Sequence, residues 1–93
     1  MASPSAELMA EGRIVMAGAW SDQGRMSDGI ALLERSLRPT RVVHPYHLRQ
    51  WYALADLYDR AGDAPRARTL FKRIKEIVPD FADVAERLRG LGR

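Results

Sequence analysis

Ninety-three residues make one small domain with room for a single modest core, and an apolar fraction of 46% with 29% charged residues is ordinary for a globular chain. There is no cysteine, which excludes disulfides and thiol chemistry, and the formal net charge of +3 rests on thirteen Arg and two Lys. Residues 1–12 lack a basic leader and carry Glu7 and Glu11, and the longest apolar run, 14–20, is far too short for a bilayer, so a cytoplasmic chain with no membrane partner is expected. Heavy use of Ala, Arg, Gly and Leu points to a bacterial source of high GC content.

The chain reads as all-α, with five helices and no convincing strand. Ser3 is placed to cap, and Pro4 to open, a helix over about 4–20, which the stretch Ser21-Asp22-Gln23-Gly24 breaks. A second helix over about 25–37 carries Ile30, Leu33 and Leu37 at helical spacing. Residues 38–45, with Pro39 and Pro45, form the longest irregular segment, and Val42-Val43 is a candidate extended pair within it. The third helix, over about 46–61, stops at Gly62. Asp63 then caps a fourth helix over 64–78, Pro65 sits in its first turn, and Pro79 stops it. Asp80 is placed as the cap of a fifth helix over 81–90. The loops near 22–24, 62–63 and 79–80 are short, which makes consecutive helices antiparallel neighbours.

Trp51, Leu54, Ala55 and Tyr58 stand at i, i+3, i+4 and i+7 and share one helical face. Ala67, Leu70, Phe71 and Ile74 repeat that spacing on the next helix. Small Ala55 and Ala67 let the two helices approach closely, and Trp51, Tyr58 and Phe71 fill the space above and below.

This pattern resembles the tetratricopeptide repeat (TPR) family, whose signature is W-x2-L-G-x2-Y, then A-x3-F, then P, over 34 residues. Trp51, Leu54, Ala55 (for Gly), Tyr58, Gly62, Ala67, Phe71 and Pro79 fall on it in register, and Ile74 replaces a residue that is usually small. Aligning Gly24 with Gly62 places an earlier repeat over 10–47. Met16, Ala17 and Trp20 then match Leu54, Ala55 and Tyr58, and Gly29 and Leu33 match Ala67 and Phe71. Arg13 replaces the Trp, and about four extra residues precede Pro45. Phe81, Val84, Ala85 and Leu88 form an apolar stripe opposite Asp83, Glu86, Arg87 and Arg89, like the family's C-terminal solvating helix. The resemblance implies a right-handed TPR-like superhelix of about two repeats plus a C-terminal capping helix, one domain over 1–93. Its implied core contains Met16, Trp20, Leu33, Trp51, Leu54, Tyr58, Ala67, Phe71 and Pro79.

The resemblance also implies a concave groove lined by first helices, in which the family binds extended or helical peptides. The corresponding residues are Arg49, Tyr52, Ala53, Asp56 and Asp59 in the second repeat, Ile14, Val15 and Gly18 in the first, and Glu86 and Arg87 on the cap. The subset that clamps a C-terminal carboxylate uses Lys, Asn and Arg there. This chain has Ile14, Gly18, Ala53 and Asp56 instead, and Asp56 and Asp59 suit a basic protein or peptide partner. The expected function is a non-catalytic scaffold or adaptor.

A second expectation comes from the first helix, which is apolar almost all round from Ile14 to Trp20. Met9, Ile14 and Val15 are expected to lie exposed at an N-terminal end that lacks a polar cap. A partner, upstream repeats, or a second copy forming a homodimer would cover them.

Other chemistry is not supported. His44 and His47 lack further ligands nearby in sequence, so no metal site is expected. Arg66, Arg68, Lys72, Arg73 and Lys75 lie on the fourth helix without interleaved aromatics or a nucleic-acid motif, and read as a solvated convex face. With no nucleophile turn, phosphate-cradling Gly loop or H-E-x-x-H, neither an enzyme nor a cofactor is expected.

Overall fold

The computed structural model describes residues 4–92, with side chains from 5 to 92. The described residues are helical with no strand: α1 Pro4–Asp22, α2 Met26–Glu34 continued by a 3-10 turn Arg35–Leu37, α3 Pro45–Arg60, α4 Ala64–Ile77 and α5 Val84–Leu91. Ser3, the expected first cap, lies outside the described residues. The Val42-Val43 pair is not a strand; it lies in bends between α2 and α3.

Two glycines close α1 and α3 in the same way. Gly24 (φ 82°) and Gly62 (φ 83°) adopt left-handed backbone that a side chain would strain. At each, the following N–H reaches back five residues. Arg25 donates to Trp20 O at 2.7 Å and Asp63 to Tyr58 O at 2.8 Å, while Gly24 and Gly62 donate to Ser21 O and Asp59 O. These are paired Schellman closures, and they satisfy the carbonyls that a helix end leaves orphaned. Asp63 then starts α4 by accepting from the Arg66 N–H at 3.2 Å.

The fifth helix begins later than its spacing predicts. Pro79 disfavours helical backbone at Val78, which is extended (φ −133°, ψ 93°), and α4 ends at Ile77. Residues 79–83 form a turn in which Phe81 N–H donates to Val78 O at 3.0 Å and Ala82 takes φ 46°. Asp80 therefore caps nothing, and Asp83 stands before the helix.

The core is continuous across the hairpins. Trp51, Leu54, Ala55, Ala67, Phe71, Ile74, Leu33, Ala17 and Val84 are fully buried, and Tyr58 nearly so. Each large apolar side chain buried in this way contributes about 1.5–3 kcal/mol. The α3–α4 pair is antiparallel: Trp51 meets Arg73, whose guanidinium lies 4.2 Å from the ring centroid, Tyr52 meets Phe71, and Tyr58 shares a cleft with Arg66. Across to the first hairpin, the Trp51 indole N–H donates to Ser36 O at 3.0 Å and the Tyr58 hydroxyl to Glu34 at 2.6 Å.

The 38-residue offset from Gly24 to Gly62 maps buried positions onto buried positions. Ala17 and Ala55, Gly29 and Ala67, and Leu33 and Phe71 are all buried. At Gly29 α1 and α2 approach closely, because a Cβ there would sit 2.8 Å from Ala17 O.

Met16 breaks the equivalence. It aligns with buried Leu54 yet is 48% exposed, so it is not core. The reason is what covers each helix: α3 packs on α1, α2 and α4, whereas α1 packs only on α2 and α3 among the described residues. Trp20 is half-buried, with the Arg25 guanidinium 4.8 Å from its ring. Pro79 is exposed in the turn, where it ends α4 rather than filling the core.

Candidate functional site

Helices α3 and α5 bring four of the expected groove residues together, and they bond to one another. Arg87 on α5 donates to Asp56 at 2.9 Å and to Asp59 at 3.0 Å, both one turn apart on α3. It also donates to the Tyr52 hydroxyl at 3.4 Å and lies 4.9 Å from the Phe71 ring centroid. The Tyr52 hydroxyl donates to Asp83, and its ring packs edge-on against Phe71. Asp56 takes a further ion pair from Arg60 at 3.1 Å.

Electrostatics follow from this packing. Burial alone would lower the Arg87 pKa, but the bonds to Asp56, Asp59 and Tyr52 outweigh it and hold the guanidinium more firmly charged than usual. Burial and the bond to Asp83 push the Tyr52 hydroxyl up. Asp56 and Asp59 are thus already neutralised within the chain and do not stand free for a basic partner. Arg49 behaves likewise: it reaches α1, pairing with Glu11 and, at 3.6 Å, with Glu7. These α1–α3 pairs are solvent-exposed and contribute little, about 0–1 kcal/mol. Glu86 is exposed and joins no such pair.

The basic residues of α4 are also partly engaged. Arg66 pairs with Asp63 at 2.7 Å, Arg68 donates to Leu91 O at 2.6 Å, and Arg73 covers Trp51, which leaves Lys72 and Lys75 exposed.

Helix α1 presents the opposite situation. Ala10 and Ala17 form its buried edge, with Ile14 packed against the core beside them. Ile14 is therefore not part of the expected exposed end; 100° per residue carries it to the inner side. Leu8 (72% exposed), Met9, Val15 (71%) and Met16 lie outward, and Gly12 and Ala19 between them are exposed too. A Cβ at Gly12 would meet no heavy atom within 4 Å. Leu8 and Met16 escape a reading by repeat register, though the helical wheel alone would have placed them outward.

The exposed face of α1 has a covered counterpart on α3. Under the same 38-residue offset, Met9, Gly12, Met16 and Ala19 correspond to His47, Gln50, Leu54 and Leu57. Of these, Leu54 is fully buried, and the other three lie on the side of α3 turned to the first hairpin. Leu57 Cδ1 is 3.4 Å from the position of a Gly29 Cβ, and His47 and Gln50 share a cleft with Arg35 and Ser36. Gln50, Leu54 and Leu57 are buried on α3, whereas Gly12, Met16 and Ala19 are exposed on α1.

Among the described residues, no group of three or more His, Cys, Asp or Glu side chains could hold a metal ion, and no helix is long and apolar enough to cross a membrane. No family model matches the chain, and no curated protein or solved structure matches it.

Proposed function

We propose that this protein is a non-catalytic helical interaction module of the tetratricopeptide-repeat type, which receives a partner's amphipathic helix on the outer face of α1. The observation that carries this reading is the correspondence between that open face and the covered face that α3 turns to the first hairpin. An incoming helix would occupy the place relative to α1 that α2 occupies relative to α3. Exposed Gly12 and Ala19 permit a close backbone approach, and Leu8, Met9, Val15 and Met16 supply the apolar contact.

Self-pairing is the second reading, and one feature limits its form. Helix α5 covers α4 at the other end of the chain, with Val84 fully buried. Head-to-tail stacking of copies is thereby blocked, so self-assembly through α1 would close as a two-fold dimer.

The test combines two measurements on the wild type and on Val15→Asp. Photo-crosslinking residues placed at positions 12 and 16, with position 75 as control, should trap a heterologous protein in cells of the source organism, and Val15→Asp should abolish the product. Sedimentation velocity over a hundredfold concentration range separates the readings, since a dimer abolished by Val15→Asp is the self-pairing outcome. A monomer that gives no product at 12 or 16 would overturn both.

A further inference from the structure

A half-open cleft of about 540 Å³ lies where the first half of α1, the corner after α2 and the start of α3 meet. Three arginines line it, Arg13, Arg35 and Arg38, and no Asp or Glu does. None of the three guanidinium groups has an ion-pair or hydrogen-bond partner among the described residues, whereas those of Arg25, Arg49, Arg60, Arg66 and Arg87 are all paired. Arg35 and Arg38 follow the C-terminal end of α2, where a helix favours cations. That accounts for their sign but not for a wall with no acid on it.

The floor carries a second, independent oddity. Gln50 is 2% exposed, its amide nitrogen donates to Tyr46 O at 3.3 Å, and its amide oxygen has no donor among the described residues. A buried acceptor left unmet is costly, and such groups in folded proteins call for an explanation. Beside it, His47 Nδ1 accepts the His44 N–H at 2.9 Å, which places the proton of the neutral ring on Nε2. Burial, then neighbouring His44, lowers the His47 pKa and keeps that ring neutral. The cleft therefore combines three cations, an uncharged donor and an acceptor in want of a hydrogen.

We propose that this cleft binds a small phosphate ester, its phosphate held by Arg13, Arg35 and Arg38 and a hydroxyl or N–H of its body donated to Gln50 Oε1. Guanidinium forks match phosphate oxygens, and three of them suit a multiply charged phosphate better than a single carboxylate. The start of α3, from which Tyr46 and His47 line the cleft, adds the positive end of a 16-residue helix. The volume lies within the roughly 300–1,000 Å³ of small-molecule sites. A nucleoside phosphate, a sugar phosphate and pyrophosphate share the anionic group; only the first two have a body beyond the phosphate whose hydroxyl or N–H can reach Gln50. This site is separate from the outer face of α1, although Met9 borders both.

Isothermal titration of the full chain with adenosine diphosphate, ribose 5-phosphate and inorganic pyrophosphate tests the proposal and identifies the source. At least one of the two esters should bind with Kd below about 1 mM and more tightly than pyrophosphate. Arg35→Gln/Arg38→Gln, two exposed positions that leave the core intact, should weaken it about tenfold or more, and Arg13→Gln should do so independently. Circular dichroism checks that each variant is folded. No binding by any of the three ligands, an affinity unchanged in the double variant, or tight binding of a single-stranded RNA that pyrophosphate cannot displace would overturn the assignment.

Discussion

Gly12→Ala and Gly29→Ala add the same methyl to two helices with opposite expected results. Ala is favoured over Gly in a helix interior by about 0.8–1 kcal/mol, so both variants start with that gain. At Gly12 nothing lies within 4 Å of the new carbon, and the gain is kept. At Gly29 the new carbon would lie 2.8 Å from Ala17 O and 3.4 Å from Leu57 Cδ1. The first contact is with backbone, on a fully buried residue of α1, so α2 itself has to move away. Such overpacking costs about 1–3 kcal/mol. The propensity term cancels in the comparison of the two variants, which isolates the cost of the contact. With about 4–8 °C of Tm per kcal/mol in a domain of this size, Gly29→Ala should melt at least about 4 °C below Gly12→Ala. Thermal unfolding followed by circular dichroism, at a concentration where the chain sediments as a monomer, measures this. Two equally stabilised variants would refute the close crossing at Gly29.

Trp51→Phe removes the donor to Ser36 O and replaces the indole on which Arg73 lies by a smaller ring, leaving a buried carbonyl unmet and a void. Urea denaturation should show a loss of about 2–4 kcal/mol with an unchanged slope. His47 gives a pH signature. Its folded pKa lies below the ordinary 6.5, so the unfolded chain takes up the proton first. Stability from this group is complete above about pH 6.5 and is lost as pH falls from there toward the folded value. His47→Asn keeps an acceptor for the His44 N–H and cannot titrate, so urea midpoints measured from pH 7.5 down to 5.5 should fall less steeply in the variant.

Helix boundaries were legible where short-range chemistry decides them. Gly24, Gly62, Asp63 and Pro65 act within a turn of where they stand, and the helices they delimit lie within two residues of their expected ends. The start of α5 was not legible, because Asp80 and Asp83 both look like caps. The choice between them depends on the turn that Pro79 and the left-handed Ala82 make, and on Phe81 packing against Tyr52. Met16 failed for a different reason. Repeat register reports equivalence, but burial depends on whether another helix covers the equivalent face, and α1 has no such neighbour among the described residues. Gln50 gave no signal at all, since a glutamine between Arg49 and Trp51 looks like a surface residue until α2 is folded over it.

Among the residues expected to line a groove, sequence position and availability diverge. Arg49, Tyr52, Asp56, Asp59 and Arg87 were legible as a set, and Tyr52, Asp56, Asp59 and Arg87 do share one cluster, but the pairing of Arg87 with both aspartates was not. A basic segment could reach Asp56 and Asp59 only by displacing a guanidinium that already bonds both and stacks on Phe71. That competition predicts a gain of binding on removal of Arg87, the reverse of what a groove contact residue would show. Arg87→Met keeps much of the apolar stem over Phe71 while freeing both carboxylates. Each charge-assisted bond is worth about 1.5–3 kcal/mol before water replaces it, so a net release of about 1–2 kcal/mol is reasonable, or five- to thirtyfold in affinity. Fluorescence anisotropy with a labelled lysine-rich peptide should therefore show tighter binding to Arg87→Met than to the wild type, by an amount that shrinks as salt is raised. Weaker binding by the variant would mean that Arg87 itself contacts the peptide, and that the groove works with its ion pairs intact.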